Sequence, residues 1–179
     1  ALNISLADAG IAAADAKYTY TFWRPVSAIR DEATRDGGAG DNLAITGSSS
    51  WTPLINTPAT PDYVGETSVL SGAASATLTG LLGNNHILAI TSDTNGDGVT
   101  DLTRNYTSFS QMASEALMSG VYGGINFRSS NVDGNVLGTT VGQNVANNYF
   151  TPVPEPSSAL YLLAAGLVLI LKRRVGFRQ

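Results

Sequence analysis

Apolar positions recur at helical spacing in four stretches of this 179-residue chain. Rows rich in Ala, Leu, Ser, Met and Gln predict helices over residues 2–24, 66–82, 108–122 and 137–148. In the first, Leu2, Leu6, Ala9 and Ala13 form an apolar stripe that needs a partner surface, and Pro25 should end the helix at Arg24. Residues 34–62, rich in Gly, Ser, Thr and Pro, read as a long loop of the kind that carries function. Residues 92–101 are a second loop, of Gly, Asp and Asn. No internal repeat is visible. The pattern predicts an all-α helical bundle whose loops hold the specific residues.

The chain ends on a different pattern. Val153 to Ser157 reads as an extended, proline-stiffened linker. From Ala159 to Leu171 the chain is unbrokenly apolar, and Lys172, Arg173 and Arg174 follow at once. As a helix this run is ~20 Å long, short of a ~30 Å hydrocarbon core. Ser157, Ser158 and a snorkelling Lys172 extend its reach. With no polar face to turn to water, it is expected to be a transmembrane helix over about residues 158–171, its basic end cytoplasmic.

Composition narrows the function classes. Hydrophobic residues make up 43% and charged residues 13%, with a net charge of -4. So sparse and acidic a charge set lacks the basic face of a nucleic-acid binder. The absence of cysteine excludes disulfides and thiolate metal sites and leaves the compartment open. The first residues, from Ala1, already read as a helix in progress, so a segment is expected to precede them.

Candidate chemistry lies in four places. In "KYTYTFWRP", Lys17 and Arg24 are seven residues apart and are expected on one helical face beside Tyr20 and Trp23, a possible oxyanion clamp or a solvated pair. In "PDYVGETSVLSGAAS", Pro61 stiffens the approach, Gly65 permits close backbone contact, and Thr67 or Ser68 is the expected cap of a helix whose free amides suit an anion. In "SEALMSGVYGGINFRSSNVDG", Gly123 and Gly124 break a helix just before Asn126. In "SDTNGDGVTDLTR", Asp93, Asn95, Asp97 and Asp101 have calcium-loop spacing around Gly98, but Arg104 stands where a bidentate Glu is expected. The alternative there is a hairpin turn built on Asn-Gly and Asp-Gly. The single histidine, His86, is expected to be a surface or packing residue.

Taken together and in this order, the first three stretches resemble the vanadium-dependent haloperoxidase and type 2 phosphatidic acid phosphatase superfamily, closest to its bacterial haloperoxidase-like branch. The likeness runs over roughly residues 2–148 and includes "WTPLINTPATPDY", "LSGAASATL" and "TSFSQMASEA". It implies vanadate or phosphate held between helices by one Lys and two Arg. One histidine would be the vanadium ligand or nucleophile, and a second, in Pro-Ser-Gly-His, the acid–base group. Lys17, Arg24 and Pro25 match the Lys-x6-Arg-Pro motif. The other motifs depart from it: Thr67 stands at the acid–base histidine, Gly120 at the second arginine and Asn126 at the other histidine. Thr is no proton shuttle near neutral pH, and Asn is neither a nucleophile nor a good vanadium ligand. Glu66 adds a negative charge where an anion would sit.

The tail resembles the PEP-CTERM sorting signal of Gram-negative bacteria, with Pro154, Glu155 and Pro156 as its motif. That likeness implies export, transient membrane anchoring and processing by an exosortase-type protease toward the cell surface. The expected organisation is thus a haloperoxidase-like helical domain over 1–150, a C-terminal portion of the family's fold, and a sorting tail over 151–179. The leading expectation for function is an exported, catalytically inactive haloperoxidase-like surface protein with no cofactor beyond a possible calcium. The alternatives are a residual oxyanion-binding haloperoxidase or phosphatase, and a structural or binding module of the surface or matrix.

Overall fold

The computed structural model describes residues 1–33 and 46–149. The predicted helix at 158–171 and the Pro154-Glu155-Pro156 motif lie outside the described residues. Among the described residues, no helix is long and apolar enough to cross a membrane.

Five helices and one hairpin follow in chain order: α1 (Leu2–Tyr20), α2 (Pro25–Glu32), α3 (Glu66–Leu82), β1 (Leu88–Ser92), β2 (Leu102–Tyr106), α4 (Phe109–Tyr122) and α5 (Arg128–Asn148). The expected helices 66–82 and 108–122 are present to within one residue. Two others need correction. The first stops at Tyr20, where Thr21 turns left-handed (φ 44) and its N–H bonds Lys17 O. Pro25 starts α2 instead of ending α1, because its missing N–H and fixed φ suit a helix's first position. The last begins at Arg128, nine residues before the expected start. The stretch before that start, rich in Ser, Asn, Asp and Gly, shows no apolar repeat, yet Ser130, Asn131 and Gly134 are its buried side.

That buried side explains the helix. Gly134, Gly138 and Gly142 recur every fourth residue along α5 and face α3. A Cβ at Gly138 would collide with the carbonyl of Val69, and one at Gly142 with the carbonyl of Ala73. The two backbones therefore approach as only glycine allows. Around this seam Ala9, Ala13, Val64, Val69 and Ala73 form the core, with Leu70, Leu137 and Val141 packed against it. On α1 the buried stripe is Ser5, Ala9, Ala13 and Lys17. The expected Leu2 and Leu6 are only half-buried. Thr77 Oγ1 ties α3 to α1 by donating to Ser5 Oγ at 2.8 Å.

The all-α expectation is amended by the hairpin. β1 and β2 pair antiparallel, Leu88 opposite Tyr106 and Ser92 opposite Leu102. Arg104 meets Glu115 at 2.6 Å, and the Tyr106 hydroxyl donates to the same carboxylate at 3.1 Å, so the hairpin is pinned to α4. Ser108 caps α4, its Oγ accepting from Gln111 N at 3.1 Å. At the other end of α4, Gly124 turns the chain at φ 74 against Trp51. There Leu54 N donates to Gly123 O at 3.0 Å, holding the segment before α3 across the α4–α5 turn.

Candidate functional site

Lys17 and Arg24 reach the site from different backbone states. Lys17 is on the last turn of α1 and Arg24 is the extended N-cap of α2, so the expected shared helical face is replaced by a turn. Both are buried, at 3% and 7% exposure. Both donate to main-chain oxygens. Lys17 Nζ donates to Pro61 O at 2.8 Å and to Asp62 O at 3.3 Å. Arg24 Nε donates to Thr60 O and Nη1 to Ile125 O, each at 2.9 Å, while Nη2 reaches Pro61 O at 3.2 Å. Burial lowers the pKa of both; Arg24 lowers that of Lys17 further, and Asp62 and Glu66 act in the opposite sense on each.

Asp62 is the centre that sequence reasoning missed. Its side chain is fully buried, and Oδ1 lies 3.6 Å from Arg24 Nη1. Asn126 Nδ2 donates to Oδ1 at 2.6 Å, and Phe127 N donates to Oδ2 at 3.3 Å. The Ser130 hydroxyl donates to Oδ2 as well. A buried carboxylate needs such a cage of donors and a cation. The local signal is an acid in the loop stretch Pro-Asp-Tyr; its donors lie more than sixty residues further along the chain, which no local pattern reveals.

Beside this network lies a small cavity of about 150 Å³. Lys17, Arg24, Glu66, Thr67 and Asn126 are in its wall. Gly120 is not in the wall. It is buried behind Asn126, where a Cβ would stand 2.5 Å from Asn126 Oδ1 and 3.0 Å from Asn131 Nδ2. Tyr20 and Trp23, expected beside the clamp, are 63% and 46% exposed and stay outside that wall. Neither Thr67 nor Ser68 caps α3; the N-cap is Gly65, with no side-chain cap bond. Gly65 is required there because a Cβ would run into the Asn131 side chain.

These residues do not fit vanadate. His86 Nε2 donates to Leu82 O at 3.0 Å, at the far end of α3 from Glu66, and its ring packs tilted against Phe109. No imidazole faces the cavity, while a carboxylate, Glu66, does. Like charges a few ångströms apart repel by ~1–4 kcal/mol at protein surfaces. No reaction step through vanadium is derived for this chain.

Asp93, Asn95, Asp97 and Asp101 lie in the loop that joins β1 to β2. Asp93 accepts from Gly96 N at 2.6 Å and Gly98 N at 2.7 Å, and Asp101 from Thr94 N at 2.9 Å. Asn95 and Asp97 accept from Asp97 N and Val99 N. These backbone amides hold the pKa of Asp93 below the ordinary carboxylate value; Asp101 is lowered chiefly by the Thr94 side chain. Among the described residues, no group of three or more His, Cys, Asp or Glu side chains is placed to hold a metal.

Residues 1–153 match the family of the VCPO second helical-bundle domain. Among solved structures, the chain is similar to the first bacterial vanadium-dependent iodoperoxidase, with 33% identity and a TM-score of 0.68 over 83% of this chain and 32% of that one. It is similar in fold to an apo-type bacterial vanadium-dependent chloroperoxidase, with 20% identity and a TM-score of 0.60 over 78% of this chain and 34% of that one. A holo-type chloroperoxidase matches with 20% identity and a TM-score of 0.53, over 69% of this chain and 29% of that one. The chain spans about a third of the length of these solved structures. No curated protein matches.

Proposed function

Starting from the fact that this chain belongs to the vanadium haloperoxidase family through its second helical-bundle domain, we propose that it is a non-catalytic member whose oxyanion site has become a structural polar core. One observation carries the reading: the fully buried Asp62 carboxylate gathers Arg24, Asn126, Phe127 N and Ser130 around itself. Lys17 and Arg24, which the family resemblance assigns to an oxyanion, are engaged with carbonyl oxygens and with this internal anion. The network joins α1, α2, α4's end and α5, so its role is to fix their arrangement. The tail adds a second part to the proposal. Pro154-Glu155-Pro156, the apolar run and Lys172 to Arg174 support export and exosortase-type processing toward the cell surface.

Bromide and iodide peroxidation with added vanadate tests the first part. The expected rate for the full chain equals that of vanadate alone in solution. Two absent histidines and one absent cation each remove several kcal/mol of transition-state stabilisation. A vanadate-dependent rate above that background, abolished by Lys17→Met, overturns the proposal and favours a residual oxyanion enzyme.

A further inference from the structure

A second cavity, of about 350 Å³, opens between α1 and α5. It does not include Lys17, Arg24 or Asp62, and its chemistry is independent of the role given to those residues. Its floor is apolar: Ala12 and Ala16 from α1, Val64, and Leu137 from α5. Its walls carry two tyrosines, Tyr20 and Tyr63, and two carboxylates, Asp15 and Asp133. No Lys, Arg or His is in its lining. The two rings meet edge to face, with centroids 5.1 Å apart and planes at 82°. Set at right angles, the two rings form a corner.

Each feature excludes a ligand class. An anion meets two carboxylates and no basic group. A neutral apolar molecule leaves both carboxylates, which are exposed at the cavity's edge, without a counter-charge. A hard metal ion needs six to eight oxygen ligands, and alkyl and aromatic walls withhold them. An organic cation satisfies all three surfaces at once: its charge pairs with the carboxylates and the tyrosine faces, and its alkyl groups rest on the alanine and leucine floor. Tyr63 and Asp133 both line the cavity, and the Tyr63 pKa is raised, chiefly by burial and then by Asp133.

We propose that this cavity binds an alkylammonium group, using Asp15 and Asp133 as counter-charges and Tyr20 and Tyr63 as an aromatic corner. Such a group reaches the site either as a free quaternary amine or as a lysine-type primary ammonium of a partner. Amide NMR titration of the full chain in a non-ionic detergent distinguishes them. The probes are choline, n-butylammonium and 3,3-dimethyl-1-butanol, the last a neutral shape-match of choline, all at constant ionic strength. The expected result is that at least one cation shifts the resonances of Tyr20, Tyr63 and Leu137 with millimolar affinity. The neutral alcohol should bind about tenfold more weakly or not at all. Choline alone points to a free quaternary amine, and butylammonium alone to a lysine side chain. Asp15→Asn and Asp133→Asn should each weaken binding about threefold to tenfold, and exposed Tyr20→Ala similarly, with an otherwise unchanged spectrum. Equal affinity for the alcohol, no response to any cation at tens of millimolar, or full binding by the doubly amidated variant each overturns the proposal.

Discussion

Asp62 shows how one residue can decide the character of a site. Its carboxylate balances Arg24 in a fully buried setting, so removing it leaves a buried guanidinium without its anion. Asp62→Ala is expected to cost ~3–5 kcal/mol, the range for breaking a buried ion pair from one side. Urea unfolding monitored by circular dichroism measures it, and a loss under ~1 kcal/mol would contradict the network described. Lys17 gives a second expectation. Its folded pKa lies below 10.5, first because burial removes water and then because Arg24 is close. A base so shifted binds its proton less well when folded than when unfolded. Its charged form therefore opposes folding below the folded pKa, and the opposition fades as pH rises from there to 10.5. Wild type should gain stability relative to Lys17→Met across that alkaline interval, read from paired melting curves; a constant difference would refute it. The residues whose type departs from the family motif, Thr67, Gly120 and Asn126, were visible in the sequence because a motif fixes their positions. Asp62 was not, because its partners come together only through the turn after α4.

At the scale of elements, the α3–α5 seam makes two glycines behave oppositely. Gly138→Ala places a methyl group against the Val69 carbonyl, which belongs to a helix backbone and cannot swing away. Overpacking of this kind costs ~1–3 kcal/mol. Gly10 lies in α1 with nothing within 4 Å of its would-be Cβ. Gly10→Ala should instead stabilise by ~0.5–1 kcal/mol, the helix-propensity difference. Equal shifts for both variants in urea midpoints would show that the seam is looser than described. The same seam explains why the start of α5 lay outside the expected helix. A buried face made of Ser130, Asn131, Gly134 and Gly138 carries no apolar periodicity, since it is small rather than greasy. α3 was legible because Gly65 and the Ala-rich run after it agree with each other. The hairpin's turn was legible in its Asn-Gly and Asp-Gly steps, but its strands were not, because β1 and β2 are mostly exposed, leaving no buried alternation for the pattern to report.

At the scale of the molecule, the chain covers about a third of its solved relatives and exposes large apolar residues along α1. Ile4, Ile11 and Tyr18, spaced by seven, are 47%, 69% and 66% exposed. The tail makes its own prediction. When the chain is produced behind a signal peptide, with and without residues 157–179, the intact form should sediment with membranes and the shortened form should stay in the periplasm. Equal recovery of both as periplasmic protein would remove the anchor from the proposal. The bundle class was legible in the sequence because four helical stretches and matched motifs point the same way. How the chain brings Arg24 to Asp62 was not, since that depends on the left-handed turn at Thr21, an irregular step without a repeat.

The buried Gly120 couples any change at position 120 to Asn126. The Asn126 amide stands where the first carbon of a side chain at 120 would go. A side chain introduced at 120 would press on that amide and strain the Asn126–Asp62 bond. Under the non-catalytic reading proposed above, substitutions at 120 and 126 are therefore expected to be epistatic, with Asn126 as the gate.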